Sequence, residues 1–195
     1  MDPKDAEYLS FLENYEKKTQ PFIQPKEEPL TITQKQDPTT FPADIQRIRE
    51  TLLEASSDLL YISEAEEPYE FIFIPNEEMS ELPSNCEEFK SLIKKNDVSN
   101  IMITEEESSA EEENASNNIL DFGEFFNPFT FVHAEDPYGQ RDGYKELQKI
   151  IEATFHGKEN VRIYKVGSDR KIGVYIVGLV KGVGIVGLKT LSIET

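Results

Sequence analysis

Nucleophilic catalysis needs a serine or cysteine beside a base, and this chain holds only two histidines, His133 and His156, and one cysteine, Cys86. His156 stands next to Gly157 at the end of a helical pattern, where an imidazolium complements the helix dipole, so a capping role is preferred to catalysis. His133 follows the aromatic run Phe129-Thr130-Phe131-Val132 and reads as a packing or loop residue. Two histidines without a cysteine cluster make no zinc site, and a single cysteine forms no internal disulfide. The glycine-rich stretch 178–190 invites comparison with a phosphate loop. Its spacing fails, because Leu188 separates Gly187 from Lys189 and no helix follows to converge backbone amides on a phosphate. Glycines there are expected to let sheet and helix pack closely. Carboxylate pairs abound, yet in so acidic a chain their proximity carries no information about acid-base chemistry. No enzyme is indicated, and no cofactor of the protein's own.

That acidity is itself informative. The 195 residues hold 38 Asp and Glu against 20 Lys and Arg, a formal charge of −18. Such a surface repels phosphate backbones and anionic lipid, which disfavours direct binding to nucleic acid or membrane. A basic partner, for example one that handles nucleic acid, fits the charge, because opposite fields speed and select encounters. Acidity that serves solubility alone is the plainer alternative. The start Met1-Asp2-Pro3-Lys4-Asp5 lacks the pattern of a secretory signal, and the apolar stretch 172–193 is broken by Lys181, Lys189 and glycines, too interrupted for a lipid-spanning helix. The expectation is a cytoplasmic protein.

The elements that would position any functional group follow from periodicity. Residues 1–44 are punctuated by Pro3, Pro21, Pro25, Pro29, Pro38 and Pro42 and read as a flexible extension. Within it Tyr8, Phe11, Leu12 and Tyr15 mark one face of a short helix, which either docks on its own domain or binds a partner. With Pro42 at a first helical position, Ile45, Ile48, Leu52 and Ala55 predict a helix over 43–57. The segment 69–74 is apolar on both alternating faces, as is 174–177, so the sheet needs helical cover on both sides. Ser84 with Glu87 reads as a capping box opening a short helix that buries Phe89, Leu92 and Ile93. Residues 97–118 contain a Glu/Ser run without apolar periodicity, expected as a solvated loop, with polyacidic mimicry of nucleic acid as an alternative. Residues 119–126 return to the core. A helix over 142–156 carries Tyr144, Leu147, Ile151 and Phe155 on one face, with Gly157 at its C′ position. The chain then reads as an antiparallel meander over 161–166, 172–179 and 185–193, with turns at 167–169 and 181–182.

Several of these segments together resemble the nuclease A inhibitor family: residues 48–70, Phe125-Phe126, 147–151, 161–177 and the terminal Glu194-Thr195. The most specific parts are the block Ser63-Glu64-Ala65-Glu66-Glu67-Pro68-Tyr69-Glu70 and the Glu-Thr end, and the likeness spans about residues 45–195 apart from the acidic insert. The resemblance implies a three-layer α/β/α sandwich of the α+β class with a mainly antiparallel central sheet. It also implies one-to-one binding, as a monomer, to a magnesium-dependent DNA/RNA non-specific endonuclease. The nuclease-binding residues it implies are Glu64, Glu66, Glu67, Glu135, Asp136, Tyr138, Glu194 and Thr195, with Glu64 engaging an arginine-rich site and Thr195 reaching the partner's catalytic metal. Such a site is built for phosphate, with guanidinium groups and a hard Mg²⁺ that takes oxygen ligands. Carboxylate and hydroxyl oxygens imitate a phosphodiester while offering no phosphorus to attack. Without the resemblance, Glu64 would read as a loop carboxylate in water and Thr195 as the place where translation stopped.

Two departures stand out. Members of the family carry a tryptophan in the loop after the Phe-Phe pair, and this chain has none. The matching place falls at 134–138, so an aromatic contact passes to Tyr138 or is lost. The extension 1–44 and the acidic insert exceed the compact family domain. Two alternatives therefore stay open: an adaptor of the same fold that binds through the Tyr8 to Tyr15 helix, and a hydrolase using acidic residues.

Overall fold

The computed structural model describes residues 41–96, 117–133, 136–168 and 170–194, all within one compact unit, Lys35–Thr195. The extension through residue 40, with the short helix expected over Tyr8 to Tyr15, and residues 97–116 of the acidic insert lie outside the described residues. Helix α1 spans Ala43–Ser56, followed by β1 (Leu60–Ile62), β2 (Glu66–Pro68), β3 (Glu70–Pro75), α2 (Cys86–Lys95), β4 (Asn118–Leu120), α3 (Phe122–Thr130) and α4 (Arg141–Thr154). Strands β5 (Val161–Ser168), β6 (Lys171–Val180) and β7 (Gly184–Ile193) complete the chain.

The main sheet has five strands in the order β3-β7-β6-β5-β4, every neighbouring pair antiparallel. Alternation along each strand sends successive side chains to opposite faces. Phe73, Ile163, Val174, Ile176, Val186 and Leu188 join Ile45, Leu52, Phe125, Phe126, Leu147 and Ile151 from α1, α3 and α4. Ile72, Ile74, Tyr164, Val166, Tyr175, Val177 and Ile185 point the other way, onto Cys86, Phe89 and Ile93 of α2. Two apolar faces thus demand two helical layers, and the fold is the expected α/β/α sandwich of the α+β class. Gly178 marks where helix and sheet meet most tightly, since a Cβ there would fall 2.2 Å from the Phe155 ring.

The strands β1 and β2 and the helix α3 have no counterpart in the sequence expectation, and the other differences lie at element ends. The first helix starts at Ala43 as read, but Pro42 is its N-cap, not its first helical residue, and the Pro42 carbonyl accepts from the Gln46 amide. The α2 cap is Asn85, whose Oδ1 accepts from the Glu88 amide at 2.9 Å, while Glu88 returns a contact to the Ser84 amide. Ser84/Glu87 and Asn85/Glu88 share the same spacing, and the helix starts at Cys86, which makes Asn85 the cap. At the end of α4 the left-handed C′ position (φ 59°) is taken by His156, with Gly157 one step beyond, donating to the Glu152 carbonyl at 2.9 Å. Asn118, placed in the acidic loop from sequence, opens β4 opposite Lys165.

Candidate functional site

The Ser63 to Glu70 block forms the turn and second strand of a small separate hairpin, β1 paired antiparallel with β2, and enters β3 at Glu70, with Glu64 exposed in the turn. Three tethers hold this hairpin against the sandwich. Tyr144 of α4 donates its hydroxyl to the Leu60 carbonyl at 2.9 Å, so its oxygen accepts from Tyr69, 3.0 Å away. The Leu60 amide donates to Gln140 Oε1 at 2.6 Å. Tyr61 stacks on Phe125 at a centroid distance of 6.1 Å and lies against Phe129 of α3. Burial pushes the Tyr69 and Tyr144 phenols up, Tyr144 to about 12, so both stay neutral donors.

A fourth attachment joins the hairpin turn to the end of the chain. The Ile193 amide donates to Ser63 Oγ at 2.9 Å and the Glu64 amide donates to the Ile193 carbonyl at 3.2 Å. Thr190 Oγ1 donates to the Glu67 carbonyl at 3.3 Å. Glu64 and the last residues of β7 therefore occupy one edge of the molecule. Glu194 is aimed by its surroundings: its amide donates to the Arg170 carbonyl at 3.0 Å, and its carboxylate accepts from Lys165 Nζ at 3.2 Å and Ser192 Oγ at 3.3 Å.

The α3–α4 loop borders the same hairpin. Tyr138, half exposed, donates its hydroxyl to the Glu66 carboxylate, and that bond with its nearby charge raises the phenol above its ordinary range. Asp136 does different work: its two oxygens accept from the Gln140 and Arg141 amides at 2.7 and 3.2 Å, satisfying orphan donors at the start of α4. Phe131 and Val132 are exposed at the head of the loop. Of the eight residues expected from sequence, Glu64, Glu66, Glu67 and Tyr138 lie on or against the hairpin, Glu194 beside it, and Asp136 at the helix start. Glu135 and Thr195 lie outside the described residues. Sequence reading missed Ser63, Lys165, Gln140 and Tyr144 as the groups that place these carboxylates; only Ser63, first in the block, carried a signal.

Among the described residues, no group of three His, Cys, Asp or Glu side chains is placed to hold a metal ion, and no helix is long and apolar enough to cross a membrane. His156 lines a groove of about 780 Å³ with Arg162 and Lys181, at the opposite end of the sheet from Glu64. What the hairpin edge offers chemically is oxygen: carboxylates on a rigid support.

No curated protein matches the chain. The family described as nuclease A inhibitor-like protein matches residues 46–195, from the first turns of α1 to the chain end. That match takes in the hairpin, the whole five-stranded sheet and every helix among the described residues, and the chain belongs to the nuclease A inhibitor-like family.

Proposed function

We propose that this chain inhibits a magnesium-dependent, sugar-non-specific nuclease by setting the Glu64 turn and the chain end, Glu194 with Thr195, into the nuclease active site. The observation that carries this reading is the hydrogen bonding of Ser63 and Glu64 to Ile193, because it puts two segments 130 residues apart on one edge. A carboxylate there meets cationic groups that otherwise grip phosphate, and a terminal oxygen meets the metal. The charge of −18 steers the chain toward a basic cleft and keeps it off the nucleic acid itself. Family membership supports a binding role in place of catalysis, with no cofactor of the chain's own. The complex is one to one, formed by a monomer in the cytoplasm.

The test uses purified chain and a magnesium-dependent endonuclease that degrades both DNA and RNA. Wild type suppresses both activities. Glu64→Ala weakens binding by about 2–5 kcal/mol, the usual cost of truncating one partner of a buried charge pair, and deletion of Thr195 weakens it further, while thermal unfolding stays unchanged. Full inhibition by the doubly altered chain would remove the assigned edge.

A further inference from the structure

One hydroxyl sits where the inhibitory edge is joined. Ser63 Oγ accepts from the Ile193 amide at 2.9 Å and donates to the Ala65 carbonyl at 3.3 Å, so it closes the Glu64 turn and fastens it to β7 at once. The Glu64 amide completes the link through the Ile193 carbonyl. On the other flank Lys165 holds the Glu194 carboxylate at 3.2 Å. Without that cation the Glu194 carboxylate would lose its charge partner in a chain already at −18. Like charges repel, and the last residues of β7 would turn outward.

We infer that Ser63 and Lys165 are positioning residues of the inhibitory edge: Ser63 sets the Glu64 turn in register with the end of β7, and Lys165 fixes the Glu194 carboxylate and with it the direction of the chain end. This rests on the inhibitory reading above. The physical gain is preorganisation. A turn and a chain end already fixed lose little freedom when a partner closes on them, whereas loose ones must be ordered at the moment of binding.

The experiment compares the full chain with Ser63→Ala, Ser63→Thr and Lys165→Met, reading amide hydrogen exchange by NMR and inhibition of the same nuclease. Ser63→Ala speeds exchange at Ile193 and Glu64 and leaves Val174 and Ile176, deep in the sheet, unchanged; inhibition weakens about tenfold, chiefly through faster dissociation. Ser63→Thr keeps the hydroxyl and restores both. In a Glu64→Ala background the Ser63→Ala effect shrinks, because the hydroxyl acts through the turn it holds. Lys165→Met speeds exchange at Glu194 and weakens inhibition to a smaller extent. Unchanged exchange at Ile193, or faster exchange with undiminished inhibition, overturns the assignment while the inhibitory function stands. A wild-type chain that inhibits no such nuclease overturns the function, and the positioning role with it.

Discussion

The central sheet and the hairpin edge are held by different forces. Strands β6 and β7 sit between two layers of helices, with Val174, Val177, Ile185, Val186 and Leu188 wholly buried, and their cohesion is the burial of apolar surface, spread over many side chains. The hairpin β1–β2 buries little of its own. It hangs on the Tyr144, Gln140 and Ser63 hydrogen bonds and on the Tyr61 ring. Each such bond contributes about 1 kcal/mol net, so the edge is placed by a few directed contacts on a scaffold that would stand without it. Apolar packing makes a rigid frame, and single polar contacts choose what that frame presents.

The broadest way to break the comparison is alkali, which acts on both regions through tyrosine. Tyr144 and Tyr175 are pushed up to about 12 by burial, and Tyr69 and Tyr164 are raised as well. In the unfolded chain these phenols ionise near pH ~10. The native state holds the neutral form, so the stabilisation is fully present below pH ~10 and is lost as pH rises toward 12, at a slope of about 1.4 kcal/mol per pH unit for each tyrosine still protonated only in the native state. Urea midpoints measured from pH 8 upward fall steeply above 10. A flat profile would mean that the phenols ionise without unfolding and that burial does not hold them.

A more local cut separates frame from edge. Ile176→Ala removes a side chain 1% exposed in the second of the sheet's central strands and costs about 2–5 kcal/mol of stability, read from chemical denaturation. Inhibition per folded molecule stays as in wild type. If affinity falls in proportion to stability, frame and edge are one cooperative unit and the contrast fails.

The same contrast explains what the sequence disclosed. Burial repeats with a period, so Tyr144, Leu147 and Ile151 marked α4, and the two-sided strands at 69–74 and 174–177 called for helices on both faces. Directed polar contacts have no period. Glu66-Glu67-Pro68 lacks every composition cue of a strand, yet it pairs with Leu60–Ile62 because Tyr144 and Gln140 hold its partner in place. Ser63 and Ile193 meet across 130 residues of chain, and only the assembled sheet makes them neighbours. The resemblance places Asp136 among the nuclease contacts, and no periodicity could show that its two oxygens also satisfy the amides at the start of α4. At the α4 terminus glycine was the obvious left-handed residue, but the helix ends at Thr154, two positions before the expected end, and His156 bears that conformation. Family resemblance points to the block and the chain end, and the hydrogen bonds from Ser63 and Glu64 to Ile193 put them on one edge.

Tyr144→Phe sharpens the comparison with a single oxygen. Its loss leaves the Leu60 carbonyl and the Tyr69 hydroxyl without their partner at the seam between α4 and the hairpin, a cost of about 1–3 kcal/mol. Exchange at the β1–β2 amides rises more than exchange in β6, and inhibition weakens although the residue touches no nuclease. Equal acceleration in both places would instead assign Tyr144 to the frame.

The smallest effect is the most diagnostic of charge. Lys165 and Glu194 are 21% and 43% exposed, and a pair so open to water contributes only about 0.2–1 kcal/mol to stability. Lys165→Met therefore lowers the thermal midpoint slightly at low ionic strength. In ~1 M salt the Debye length falls to about 3 Å, and the difference from wild type closes. Inhibition by the variant recovers less than stability does, because salt screens the repulsion but supplies no donor to hold the Glu194 carboxylate in place. A deficit in stability that persists at high salt would instead point to the buried methylenes of Lys165 as its contribution, and the chain end would then be held by packing, like the sheet, and not by charge.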